Sequence, residues 1–302
     1  MTPSNHASDP EDRQALLDKF HQLAVDGDVD GLRLLLPLFI GTPLFASGFS
    51  RASCSGHLES IELFLPYAAP DQLATAAFHA ASNGRCACLR RLAAILAEAG
   101  HAESFARNVG EDSAMGIAAA RGHAECVAIL LDIAGAGDES LALPKAWEAL
   151  STSGGASIIS APEQAIASLA FRGLRAACSD GHLACVALLS PLCSPEKNSA
   201  ALIAAARGGH VECVRFLAER AKRSFTYLSF ALESSAQHGH RECVEILWPL
   251  MRQLPTHPTL EALAADARLR GFHAAATLME ALSERDTLSE LPASISRGSQ
   301  RI

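Results

Sequence analysis

Hydrophobic residues along this chain gather in short clusters, each a few positions after a glycine. In Arg121–Leu131, RGHAECVAILL, the apolar residues Cys126, Val127, Leu130 and Leu131 fall at i, i+1, i+4 and i+5, one face of an α-helix. The pattern returns as DGHLACVALLS from Asp180, GGHVECVRFLA from Gly208 and HGHRECVEILW from His238. SGHLESIELFL from Ser55 is a weaker copy, and NGRCACLRRLA from Asn83 is weaker still. Upstream of Gly122 lies Ile117–Ala120, whose alanines favour helix and let two helices approach closely. Glycine tolerates positive φ, so it ends one helix and turns the chain into the next. Each unit therefore reads as a helix, a tight turn and a second helix. Such a pair cannot bury its apolar faces alone; stacked neighbours share one elongated core.

The units resemble ankyrin repeats, whose sequence runs roughly TPLHLAAxxGHxxIVxxLL. The matching stretches are GIAAARGHAECVAILL, RAACSDGHLACVALL, IAAARGGHVECVRFL and ESSAQHGHRECVEIL. Small residues stand three and four before the glycine, at Ala118/Ala119, Ala177/Cys178, Ala205/Ala206 and Ser235/Ala236. Cys126, Cys185, Cys213 and Cys243 take the buried aliphatic site of the second helix. The Thr-Pro-Leu-His opening is absent, and its place reads Ser113-Ala114-Met115-Gly116 in the clearest copy. That departure removes the hydroxyl and imidazole that normally tie neighbouring units together. The resemblance implies an all-α, ankyrin-like solenoid of about eight stacked helix-turn-helix repeats in a single curved stack. It also implies a non-enzymatic protein that binds another protein in the groove lined by its first helices.

The expected domain layout is a disordered N-terminal segment over residues 1–12, a repeat domain over 13–282 and a flexible polar tail over 283–302. The first unit carries Leu16, Leu17, Phe20 and Leu23, then Gly27-Asp28 at the turn, then Leu32, Leu34 and Leu35. Asp28 replaces the histidine and Gly31 the cysteine, as a terminal capping unit allows, and Pro37 and Pro43 are expected to close it. Turns at Gly27, Gly56 and Gly84 are separated by 29 and 28 residues, which implies short connections whose projecting hairpin fingers are short or absent. Between Gly122 and Gly181 lie 59 positions, where we expect a degenerate unit or an insertion at about 135–165. Gly154-Gly155 is the candidate turn inside it, although Ala156–Ala161 is brief and β-branched and Pro162 follows. The last turn is Gly271-Phe272, with Arg268 and Arg270 as a polar terminal cap.

Charge narrows the function. Thirty-three acidic residues against 25 Lys and Arg give a net charge of −8, with no basic block, so nucleic acid is not an expected partner. No uncharged apolar run of about eighteen residues is present, so no membrane span is expected. The opening MTPSNHASDPEDRQ has neither the basic nor the apolar region of a classical signal peptide. Nine cysteines at mostly repeat-equivalent places read as small buried hydrophobes in a reducing cytoplasm. Cys86, Cys88 and Cys193 depart from that pattern and are expected to be more exposed.

The recurrent pairs His123/Cys126, His182/Cys185, His210/Cys213 and His240/Cys243 have i, i+3 spacing and invite a zinc reading. Tetrahedral zinc needs four donors at about 2.0–2.3 Å. Helices packed about 8–10 Å apart do not bring successive pairs together. The better reading is a turn histidine and a packed cysteine, so no metal and no cofactor are expected. A Cys–His hydrolase needs one activated thiolate beside a base. Fourfold recurrence instead marks a structural element, and no catalytic residue is assigned. Glu125, Glu212 and Glu242 stand where a helix macrodipole favours negative charge. Trp147 and Trp248 read as packing.

The resemblance implies that the two positions before each turn glycine face the groove, and here they differ from unit to unit while their neighbours repeat. Of these, Ser82, Asn83, Arg121, Ser179, Asp180, Arg207, Gln237 and His238 are the expected partner-binding residues. Gly56, Gly84, Gly122, Gly181, Gly209 and Gly239 are the expected structural turns. Three functions stay open: a monomeric cytoplasmic scaffold that binds a partner protein, a bacterial effector, and a His/Cys-based hydrolase or zinc protein. The effector would be delivered into a host cell without a classical signal peptide. A Ser- and Pro-bearing N-terminus and an Ala- and Arg-rich, Lys-poor composition permit it.

Overall fold

The computed structural model describes residues 10–101, 105, 113–134, 161–254 and 258–290. Among these there are sixteen α-helices and no strand. The chain divides into two compact units, Met1–Gly173 and Leu174–Ile302.

The first unit holds α1 (Pro10–Asp26), α2 (Val29–Phe39), α3 (Pro43–Ser55), α4 (Leu58–Phe64), α5 (Pro70–Ser82), α6 (Cys86–Glu98), α7 (Ala114–Ala120) and α8 (Ala124–Ile133). They form four antiparallel pairs, with first helices packed on first helices and second helices on second helices. Proline starts α3 and α5, where its missing N–H costs nothing. Aromatic rings fill the early core. Phe20 stacks on Phe39 at 4.3 Å, and Phe64 meets Phe45 and Phe49 at 5.3 and 5.2 Å. Gly48 of α3 leaves its backbone bare for the Phe20 ring, which occupies the space a Cβ would need. Pro37 does not close the first pair: it lies inside α2, which continues to Phe39. Asp28 caps α2, its carboxylate accepting from the Gly31 amide at 2.9 Å.

Helix α9 (Ala161–Asp180) carries the division between the units within its length. Residues 161–165, inside the expected insertion, are helical; residues 135–160, with Trp147 and Gly154-Gly155, lie outside the described residues. The second unit continues with α10 (Leu183–Leu189), α11 (Pro195–Gly208), α12 (Val211–Ala218), α13 (Phe225–Gln237), α14 (Arg241–Arg252), α15 (Leu260–Leu269) and α16 (His273–Glu290). Its core is aliphatic and fine-grained: Leu202, Ala205, Ala206, Val214, Leu217, Ala231, Leu232, Val244 and Leu247 are fully buried. Trp248 is buried in α14. Beneath the link from α10 to α11, buried Asn198 donates to the Ser190 and Cys193 carbonyls at 3.3 and 3.4 Å.

Two expectations about the ends change. Helix α1 starts at Pro10, inside the segment expected to be disordered. Helix α16 runs on to Glu290 with no break at the 282/283 boundary, because SERDTLSE contains no Gly or Pro to stop it. Residues 1–9 and 291–302 lie outside the described residues.

Candidate binding site at the repeat turns

Among the described residues every turn glycine predicted from the repeat has positive φ, from 69° at Gly84 to 91° at Gly56. The reversal is made by a bond from the residue after the glycine back to the carbonyl five residues earlier. His210 N reaches Ala205 O at 3.0 Å and His240 N reaches Ser235 O at 2.8 Å. This fixes the backbone of the turn but leaves the histidine side chain free for another task.

At three turns that task is to tie the turn to the one before it. His210 Nε2 lies 2.8 Å from Ser179 O, and His240 Nε2 lies 3.0 Å from Arg207 O. In the first unit His57 Nε2 lies 2.9 Å from Val25 O. A carbonyl only accepts, so each of these rings donates from Nε2. The acceptor is always the residue two before the previous glycine. The ring lies across that glycine, so a Cβ on Gly181 or Gly209 would strike it. Where histidine is missing, arginine substitutes: Arg85 Nε donates to Cys54 O at 2.9 Å. Over Gly84 the His123 ring lies across the glycine, and Arg121 Nη1 makes the bond to Ser82 O at 2.8 Å.

The cysteines take the opposite direction. Cys126, Cys185, Cys213 and Cys243 are buried in the core. Burial pushes the Cys243 thiol up to about 11. Histidine and cysteine three residues apart therefore part company, one to the neighbouring turn and one inward, and they form neither a nucleophile–base couple nor a ligand set. Among the described residues no group of three His, Cys, Asp or Glu is placed to hold a metal ion. No described helix is long and apolar enough to cross a membrane.

The sequence model of ankyrin repeats (3 copies) matches residues 174–253, the stretch holding the turns at Gly181, Gly209 and Gly239. These are ankyrin repeats. Among solved structures, the ankyrin repeat domain of human ASB11 is similar, with a TM-score of 0.51 and 22% identity. That match covers 78% of this chain and 98% of the ASB11 chain. At that identity the likeness is one of fold. No curated protein matches the sequence.

On the ankyrin repeats of the second unit, Ser179, Asp180, Arg207 and His238 are exposed and Gln237 is half-buried. His238 Nδ1 bonds Ser234 O at 2.8 Å, and its ring lies parallel to His240 with centroids 6.1 Å apart. In the first unit Arg121 is exposed and Asn83 half-buried. Asn83 is held by its own helix through His79 O at 2.8 Å. Ser82 departs from expectation: it is 4% exposed and its hydroxyl donates to Phe78 O, so its side chain offers a partner nothing. Arg121 is also more than a surface group, because it spans to the previous turn.

Cys88 and Cys193, expected to be more exposed, are buried, while Cys86 is half-buried. Sequence reasoning also missed Phe230, which is 52% exposed on α13. The signal was available. Leu228, Ala231, Leu232 and Ser235 form the buried stripe, and position 230 falls off it. On α9, Arg172 and Arg175 are exposed two turns and one turn before Ser179. A separate hollow of about 720 Å³ lies in the first unit between α6 and α8. Ala93, Ala94, Ala97, Ile129 and Ile133 line it, with Arg90 and Asp132 the charged groups among its lining residues.

Proposed function

We propose that the protein is an interaction scaffold whose second unit binds a partner protein through the turn residues Ser179, Asp180, Arg207, Gln237 and His238, extended by Phe230. Ankyrin repeats in general are protein–protein interaction modules. The observation that carries the reading for this chain is the division of labour at each turn. Backbone carbonyls of Ser179 and Arg207 are held by the next histidine, while the side chains at those positions are exposed and vary. A fixed frame with changing exposed side chains is what specific recognition needs, because little ordering remains to oppose binding. Phe230 supplies the apolar, aromatic anchor typical of interface centres. The scaffold acts as a cytoplasmic monomer, a setting that suits its seven buried cysteines.

The test uses the full chain and whatever partner it retains from cell extract. Asp180→Arg with Arg207→Glu reverses two exposed charges, and like-charge juxtaposition costs several kcal/mol at an interface. We expect partner retention to be lost with the melting temperature nearly unchanged. The control is Glu219→Arg, which follows the second helix α12 and is 76% exposed. Retention that survives the double reversal but is lost in the control would place the partner on the other face.

A further inference from the structure

Cys86 and Cys126 stand apart from the other cysteines. Their sulfurs are 3.0 Å apart, across 40 residues of chain and between two neighbouring repeats. A disulfide bond is about 2.05 Å long, so closing it needs a sulfur movement of about 1 Å. We propose that Cys86 and Cys126 form a reversible disulfide when a peroxide reaches the protein, locking the pair α5–α6 to the pair α7–α8.

Repeat register explains why the pair occurs at this junction. The residue two after a turn glycine opens the second helix, and the residue four after it points into the core. At the core position stand Ser60, Cys88, Cys126, Cys185, Cys213 and Cys243. At the opening position stand Leu58, Cys86, Ala124, Leu183, Val211 and Arg241. Cys126 of α8 reaches the opening of α6, and this is where the opening residue is itself a thiol. The same register sets no thiol opposite Cys213 or Cys243 at Leu183 or Val211.

The two sulfurs are unequal, which gives the chemistry an order. Cys86 is half-buried at the first position of α6, so a peroxide reaches its sulfur before that of buried Cys126. Cys126 is buried, and burial together with the adjoining Cys86 thiol pushes its proton affinity up. Cys86 is therefore attacked first. The Cys86 sulfur attacks one oxygen of hydrogen peroxide, the O–O bond breaks, the leaving hydroxide takes the Cys86 proton and departs as water, and the sulfur becomes a sulfenic acid. The Cys126 sulfur then attacks the Cys86 sulfur. The S–O bond breaks, the departing hydroxide takes the Cys126 proton, and a second water leaves. In sum, two thiols lose two electrons and two protons, and one peroxide is reduced to two waters. A small thiol reverses the bond by exchange.

Locking has a local consequence. The bridge joins the helices on either side of the junction that carries His123 over Gly84 and Arg121 on Ser82 O. It also closes a long loop in the unfolded chain, which favours the folded state.

The experiment treats the reduced full chain with hydrogen peroxide, blocks remaining thiols by alkylation after unfolding, and digests with trypsin without reductant. We expect the peptide Cys86–Arg90 joined to the peptide beginning at Gly122, with fragmentation placing the link on Cys86 rather than Cys88. Dithiothreitol should release it. The oxidised chain should melt several degrees above the reduced one, and Cys86→Ser, a half-exposed change, should abolish both link and shift. Further oxidation of Cys86 to a sulfinic acid with Cys126 left free overturns the proposal, as does a link from Cys126 to any other cysteine. The wild-type digest decides the matter without any variant.

Discussion

At the scale of single residues, the core position four after each turn glycine explains the abundance of cysteine. A thiol is small, apolar and undemanding in hydrogen bonds. In the weaker copy that position is Ser60, whose hydroxyl is fully buried with no hydrogen-bond partner. A buried hydroxyl left unpaired costs about 1–3 kcal/mol. Ser60→Cys restores the residue used by the next repeats and removes that cost without changing shape. We expect it to stabilise the full chain by about 1 kcal/mol in urea unfolding. A destabilised variant would mean that the hydroxyl is satisfied after all and that cysteine is chosen for another reason.

At the scale of elements, the turn is the unit that determines repeat geometry, and its glycine has two duties that can be separated. Gly209 has φ 74° and lies under the His240 ring; Gly239 has φ 76° with nothing near its missing Cβ. Phe272 follows the next glycine in place of histidine, so no ring reaches back over Gly239. Alanine at either site pays the left-handed backbone cost of about 1–2 kcal/mol. At Gly209 it also displaces His240 from Arg207 O, which adds about 0.5–1.5 kcal/mol. Gly209→Ala should therefore lower stability more than Gly239→Ala, and the excess should vanish in a His240→Ala background. An equal loss at the two glycines would show that the inter-repeat bond contributes nothing. Much of this element was legible beforehand: glycine, small residues before it and an apolar set after it appear in the sequence because each is a local requirement. The histidine bond was not, because its acceptor is a backbone carbonyl some thirty residues away that leaves no mark on residue identity. For the same reason Arg121 read as a free surface group, and Ser82 as exposed, when a neighbouring repeat engages the first and its own helix buries the second. The Cys86–Cys126 contact was hidden likewise, since it needs the register between repeats as well as the repeat itself.

At the scale of the whole molecule, the buried thiols make a collective prediction about alkaline pH. Seven cysteines are buried, and five of these lie in the second unit: Cys178, Cys185, Cys193, Cys213 and Cys243. Burial raises all five, Cys193 to about 12 and Cys243 to about 11, from an ordinary value of 9.0. Below that ordinary value both folded and unfolded chains hold the protons, and the full stability is present. Above it the unfolded chain releases protons that the folded chain retains, so stability falls as pH rises toward the folded values. The melting temperature should therefore drop as pH rises above about 9 toward about 11. Tyrosines and lysines also titrate in that range, so the drop alone is not diagnostic. Cys213→Val with Cys243→Val removes two of the thiols while keeping apolar volume at the site. The doubly substituted chain should lose less stability over the same interval, with the other titrations common to both proteins. Because the thiols are concentrated after residue 174, amide exchange at alkaline pH should rise earlier in the second unit than in the described residues of the first. A pH dependence identical in the two proteins would mean that these cysteines are hydrated in the folded state, and the reading of residues 126, 185, 213 and 243 as core would fall with it.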